Sequence, residues 1–253
     1  MIRTLVMLGF WAALLPVAAL IGFPWTLLTG DVSMLYRMTM WGAWTGVRLA
    51  GVHVKTVGLD KIDPARTYIF MSNHVSNIDP PILMPLIPRR MSIMVKKELF
   101  RVPILARLMR FGSLVPVDRG NRESGIAAVR AAADVIHQGL NMAVYVEGHR
   151  SFDGRLLPFK KGPFYLAEEC GVPIVPVTIV GSHYVMPKKR FAIRPGTVTV
   201  IFHKPIEPND FGDRDYLMAK VRKVINSGLP PELQESTPTT TEDTKVHEGK
   251  ASA

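Results

Sequence analysis

Hydrophobic positions in this chain fall into distinct regimes. Residues 4–30 are mostly apolar and carry no charge, a run long enough for a membrane-crossing helix. Pro16 and Pro24 interrupt it and predict a kinked or re-entrant helix. A cleaved signal peptide fits less well, because the run is too long and only Arg3 precedes it. From residue 52 onward, short apolar runs alternate with segments of helical period. The runs predict strands at 52–57, 67–71, 92–95, 113–117, 142–146, 174–180 and 198–202. Helices are predicted at 80–87, 102–111, 124–137, 163–169 and 215–225. In the third of these Ile126, Val129, Ala133 and Ile136 recur at core spacing, and Gly139 is its stop signal. Such alternation predicts a single α/β domain with a central mixed or mostly parallel sheet flanked by helices.

The segment between these regimes has its own pattern. Arg37, Trp41, Trp44 and Arg48 are spaced four, three and four apart and share one helical face. Cations and tryptophans on one face suit the headgroup layer of a membrane; an ordinary core helix is the alternative. A single span starting inside would carry a basic domain outside, against the positive-inside tendency. A hairpin that dips in and returns keeps the domain in the cytosol. The expected organisation is therefore a two-helix membrane anchor over 1–50, embedded or interfacial, a domain over 51–228, and a disordered tail over 229–253. In that tail Pro, Thr, Glu, Ser and Lys leave little apolar surface to bury.

Composition narrows the partners. The 253 residues carry a formal charge of +10, a pI near 9.9 and a mean hydropathy of +0.15. The charge favours an anionic partner. The positive hydropathy points to a membrane surface, and the basic residues are not interleaved with a stacking platform of the kind nucleic acids use. Cys170 is the only cysteine, which excludes an intrachain disulfide and a cysteine-based zinc site and reads as a small buried hydrophobe. No spacing suggests a metal set, so neither a metal nor a resident cofactor is expected.

Polar clusters follow several predicted strands. Asn73-His74 and Asp79-Pro80-Pro81 follow 67–71. Asp118-Arg119 follows 113–117, Glu147-Gly148-His149-Arg150-Ser151 follows 142–146, and Gly181-Ser182-His183 follows 174–180. Ligands of open α/β sheets bind beyond the carboxyl ends of the strands, so the first three clusters are expected to converge on one site. Histidine is the usual general base near neutral pH, and a buried carboxylate can orient its ring. On one helix, five residues would separate His74 and Asp79 by about 140°. The prolines instead predict His74 in a loop and Asp79 as a helix N-cap facing back to it. Arg119 and Arg150 offer planar forks for phosphate. Lys160 and Lys161 precede a helix start that also favours anions. Gly148 allows close backbone approach, and Glu147 could pair with an arginine or bind a substrate hydroxyl.

Taken in order, these blocks resemble the 1-acylglycerol-3-phosphate acyltransferase family, the lysophosphatidic acid acyltransferases of the glycerophospholipid acyltransferase superfamily. His74 to Asp79 looks like its His-x4-Asp motif, and Val117-Asp118-Arg119 its second block. Glu147 to Ser151 looks like the third, usually Glu-Gly-Thr-Arg-Ser. Val172-Pro173-Ile174-Val175-Pro176-Val177 looks like the fourth, and Phe159-Lys160-Lys161-Gly162 fits between them. His149 departs from the usual threonine, which bears on substrate detail.

The resemblance implies an acyltransferase domain and an N-terminal membrane-associated helical motif. It implies acyl transfer from acyl-CoA or acyl-carrier protein to the sn-2 hydroxyl of 1-acyl-sn-glycerol-3-phosphate, giving phosphatidic acid for phospholipid biosynthesis. His74 and Asp79 are then catalytic, while Arg119, Glu147, Gly148, Arg150 and Lys160 bind substrate. The expected partners are the lysophospholipid, the thioester donor (acyl-carrier protein among them) and membrane lipids. The expected location is a bacterial-type inner membrane with the domain facing the cytosol. A related enzyme using glycerol-3-phosphate, lyso-ornithine lipid or another lysolipid is the near alternative. A non-catalytic protein that binds anionic membranes is the alternative of another class.

Overall fold

The structure is a computed structural model that describes residues 2–118, 122–188, 190 and 192–235. The apolar N-terminal run forms one long helix. Its halves, α1 (Ile2–Val17) and α2 (Phe23–Thr29), are joined by a wider π-helical turn at Ala18–Gly22. That turn lies just ahead of Pro24, whose ring clashes with the carbonyl four residues back and lacks an N–H. Gly30, in the left-handed region, closes the helix. Helix α3 (Ser33–Leu49) returns against α1. Gly42 and Gly46 let the two approach: Trp11 Nε1 donates to Gly42 O at 2.9 Å, and Phe10 packs edge-on to Trp41. The helix of residues 2–29 is long and apolar enough to cross a membrane, and Leu5, Leu15, Leu20 and Leu28 on it face outward.

The expected division at residue 50 is not a packing boundary. Met7, Val47 and Ala50 are buried in the same core as Phe70, Ile82 and Val175, with Trp11 and Tyr36 packed against it. Helix α3 is two-sided: Leu35, Gly42, Gly46 and Val47 are buried, while Arg37, Trp41 and Arg48 remain exposed.

The domain then runs β1 (Val52–Val57), β2 (Ile69–Ser72), α4 (Asp79–Leu83), β3 (Met91–Lys96), α5 (Pro103–Phe111), β4 (Val115–Val117), α6 (Arg122–His137), β5 (Asn141–Tyr145), α7 (Gly162–Cys170), β6 (Ile174–Val180), α8 (Ser182–Val185), β7 (Gly196–Phe202) and α9 (Arg214–Ser227). The strands form one sheet in the order β1-β7-β6-β2-β5-β3-β4. Among these strands only the β6–β7 pairing is antiparallel. Period-two alternation splits β2 between two cores. Phe70 joins the side covered by α3 and α4, and Ile69 and Met71 join the side covered by α6, α7 and α9.

Because β2 to β6 are parallel, their carboxyl ends share one edge. Strand β7 runs the other way with β1 alongside it, so β1 begins at that same edge. Gly196 N bonds Gly51 O there, and Thr4 Oγ1 accepts from Ile193 N at 2.9 Å. The helical hairpin therefore meets the domain at the edge that carries the polar clusters. Residues 229–235, assigned to the disordered tail from their composition, instead fold back. Leu229 and Leu233 are buried and Arg222 pairs with Glu235. The rest of that tail, 236–253, lies outside the described residues.

Candidate active site

The loop between β2 and α4 is built by hydrogen bonds to buried side chains. Asn73 spans to β6, donating from Nδ2 to Ile179 O at 2.9 Å and accepting from Ile179 N at 2.7 Å. His74 follows in the loop, as expected. Its Nδ1 lies 2.7 Å from Asp79 Oδ2. The same oxygen accepts from Val75 N and Ser76 N, each at 2.8 Å. Asp79 is fully buried. It is the first residue of α4 rather than its N-cap, which is Ile78. Its carboxylate satisfies the incoming loop instead of the helix. This corrects the expected capping role while keeping the expected loop-to-helix geometry. A carboxylate at Nδ1 fixes the proton there and leaves the Nε2 lone pair as the base. No described residue hydrogen-bonds Nε2.

Glu147 is buried beneath this loop. Its Oε1 accepts from His74 N at 2.9 Å and its Oε2 from Leu157 N at 3.0 Å. Burial raises its carboxyl to about 7, against the pull of the Leu157 and His74 amides. With both oxygens committed to backbone N–H groups, Glu147 positions the loop. Among the described residues no arginine hydrogen-bonds or pairs with Glu147, in place of the expected arginine partner. Ser151 N completes the clasp by donating to His74 O at 2.8 Å, and Ser76 Oγ donates to Met186 O at 2.7 Å.

Tyr145, at the end of β5, stacks on His74 with ring centroids 4.0 Å apart. Burial first, then the nearby Asp79 charge, push its phenol well above the usual value, so the hydroxyl keeps its proton. The sequence reading passed over Tyr145 as an ordinary strand residue. The available signal was an aromatic at the carboxyl end of a strand, two positions before Glu147.

Tyr145 is also a wall of a cavity of about 910 Å³ lying between the sheet, α6 and the start of α7. Ile93, Met94, Ile126 and Val129 give it an apolar side. Asp118, Gly148, His149, Lys160 and Lys161 give it a polar rim. Gly148 has φ +71, a conformation that L side chains adopt at a cost, and Lys160 packs over it. Lys161 is drawn aside by Asp215 at 2.9 Å, and Asp118 pairs with Lys97. Arg150 is half-buried and does not line the cavity. Arg119 lies outside the described residues. Thus His74, Asp79 and Glu147 come together, Gly148 and Lys160 border the adjoining cavity, and Arg150 stands apart. Among the described residues no cluster suited to a metal ion occurs.

A family model described as Acyltransferase matches residues 53–180, the span that holds His74, Asp79, Glu147 and Arg150. The chain belongs to the acyltransferase family. Similar proteins include the 1-acyl-sn-glycerol-3-phosphate acyltransferase of Limnanthes douglasii, 34% identical over 74% of this chain and 66% of that protein. The probable 1-acyl-sn-glycerol-3-phosphate acyltransferase of Mycoplasma genitalium is 32% identical over 78% and 77%. The beta form from Homo sapiens is 37% identical over 55% and 51%. Alignments with the Chlamydomonas reinhardtii and Limnanthes proteins cover only 54% and 66% of their lengths. Among solved structures, the 1-acyl-sn-glycerophosphate acyltransferase PlsC of Thermotoga maritima matches with a TM-score of 0.73 and 26% identity. That match covers 90% of this chain and 95% of that one.

Proposed function

We propose that the protein transfers an acyl group from a thioester, acyl-CoA or acyl-carrier protein, to the sn-2 hydroxyl of 1-acyl-sn-glycerol-3-phosphate, giving phosphatidic acid. The observation that carries this reading is the buried His74–Asp79 pair, 2.7 Å apart, with Nε2 unbonded among the described residues and Tyr145, which stacks on the imidazole, lining a cavity of about 910 Å³. The names and activities of the family relatives support the choice of substrate.

In this mechanism His74 Nε2 takes the proton of the acceptor hydroxyl as its oxygen attacks the thioester carbonyl. Asp79 holds Nδ1–H and stabilises the imidazolium that results. Collapse of the tetrahedral adduct expels the thiolate, which recovers the proton from His74. The chain contains no Gly-x-Ser-x-Gly elbow, so transfer is written as direct, without a serine acyl-enzyme. Lys160 on the cavity rim, with Arg119 and Arg150 by family resemblance, binds the glycerol phosphate. The apolar hairpin holds the domain on the cytosolic face of a membrane, where acceptor and product partition.

His74→Ala is the direct test. Acylation of 1-acyl-sn-glycerol-3-phosphate should fall about 10²–10⁴-fold while the unfolding midpoint and membrane association persist. Near-normal turnover would remove His74 as the base. Full lipid binding by a wild-type protein that transfers no acyl group to any lysolipid would favour the non-catalytic alternative.

A further inference from the structure

We propose that an anionic phospholipid headgroup binds in a second cavity, at the opposite edge of the sheet from His74, held by Arg37 and Arg90. This cavity of about 500 Å³ lies between the first turns of α3 and the turn that enters β3. It is on the amino-end side of the strands: Asn141 N, opening β5, donates to Arg90 O at 3.1 Å. The catalytic reading places nothing here.

The two neighbouring arginines in that turn are treated differently. Arg89 adopts φ +65, and its guanidinium donates to Ala65 O at 3.0 Å and Gly139 O at 2.8 Å. Arg90 is half-buried, its Nε is sealed from solvent with no acceptor, and no described residue hydrogen-bonds its guanidinium. A guanidinium carries five donors and is always charged. Leaving its one solvent-sealed donor, Nε, unpaired is costly. Arg37, across the cavity on α3, is exposed and makes no hydrogen bond or ion pair among the described residues. The exposed Asp31 carboxylate feels the charge of both arginines but hydrogen-bonds neither, accepting from Ser33 N at 2.8 Å.

Two unpaired guanidiniums facing one cavity suit the fork geometry of a phosphate. The remaining walls favour an amphiphile over a free ion. Met40, Met84 and Ile87 line the apolar side, and α3 packs on the apolar N-terminal helix whose Trp25 and Leu28 are exposed. A lipid seated with its phosphate on Arg37 and Arg90 would lay its chains along that helix.

The test uses the full chain in zwitterionic detergent micelles doped with phosphatidylglycerol, read as the thermal unfolding midpoint against lipid content. Phosphatidylglycerol should raise the midpoint of the wild type and of His74→Ala alike, which separates this site from the catalytic one. The Arg37→Gln/Arg90→Gln double variant should need about tenfold more lipid for the same rise. Phosphatidylcholine and inorganic phosphate should leave the midpoint unmoved. An equal response in the double variant, a matching response to phosphatidylcholine or to inorganic phosphate, or no response in the wild type would each overturn the proposal. If the double variant does not fold, Arg37→Gln alone, a change on the exposed side of α3, decides it: a wild-type lipid response in that protein overturns the assignment.

Discussion

Glu147 Oε1 accepts the backbone N–H of His74 at 2.9 Å, so the third block of the site holds the first in place. A glutamine at 147 would keep one acceptor but turn an N–H₂ group towards the other amide. Glu147→Gln should therefore lower stability by about 1–3 kcal/mol and reduce kcat by disturbing the base. The acceptor KM should change little. Denaturation and steady-state kinetics check both effects.

The same carboxyl gives a pH signature. Its folded value, about 7, lies above the unfolded 4.5, so the native state binds the extra proton between those limits. Stability should fall as pH rises from about 4.5 to about 7, by on the order of 2–3 kcal/mol from this group, and then level off. Denaturant midpoints across that range should show the slope in the wild type and a shallower one in Glu147→Gln.

Asp79 predicts a different balance. Its Oδ2 gathers N–H groups from Val75 and Ser76 besides the His74 ring. Asp79→Asn should abolish acyl transfer and also cost about 2–4 kcal/mol, more than His74→Ala does. Comparing the two variants by chemical denaturation separates the loop-building role from the catalytic one.

Both amide ends of the Asn73 side chain are used by Ile179. Asn73→Ala should leave a buried N–H and a buried C=O unsatisfied and cost about 2–4 kcal/mol. Amide exchange at Ile179 should accelerate with it.

Gly46 tests the hairpin. A Cβ there would lie 2.6 Å from Trp11 Cε2 and closer still to Trp11 Nε1, in a rigid ring held by its bond to Gly42 O. Gly46→Ala should destabilise the protein by about 1–3 kcal/mol through overpacking, visible as a lower unfolding midpoint in detergent. Trp11→Leu in the same chain should recover part of it.

The strand and helix pattern was legible because each element has one apolar period and a clear stop. The strand at Ile174–Val180 and the helix ending at His137 are examples. The His74–Asp79 pairing was legible because Pro80 and Pro81 break the chain at that point. The role of Glu147 was not. Its partners are backbone amides 73 and 10 residues away, and backbone donors carry no side-chain signature. Tyr145 was hidden for a related reason: an aromatic in a strand looks the same whether it faces a core or an imidazole. The boundaries at residues 50 and 229 misled because composition records average polarity, whereas Val47, Ala50, Leu229 and Leu233 are single apolar anchors that packing selects.

The reversal of β7 against β6 has a practical consequence. It brings residues 51 and 196 together and seats Thr4 on Ile193, two residues before Pro195 leads into β7. A fragment begun at residue 51 would lose Met7, Val47 and Ala50 from the interior, and with them the support of the segment that Ser76 grips at Met186. Shortening the chain at that point would loosen the histidine loop, so the N-terminal hairpin is a structural wall of the acyltransferase domain.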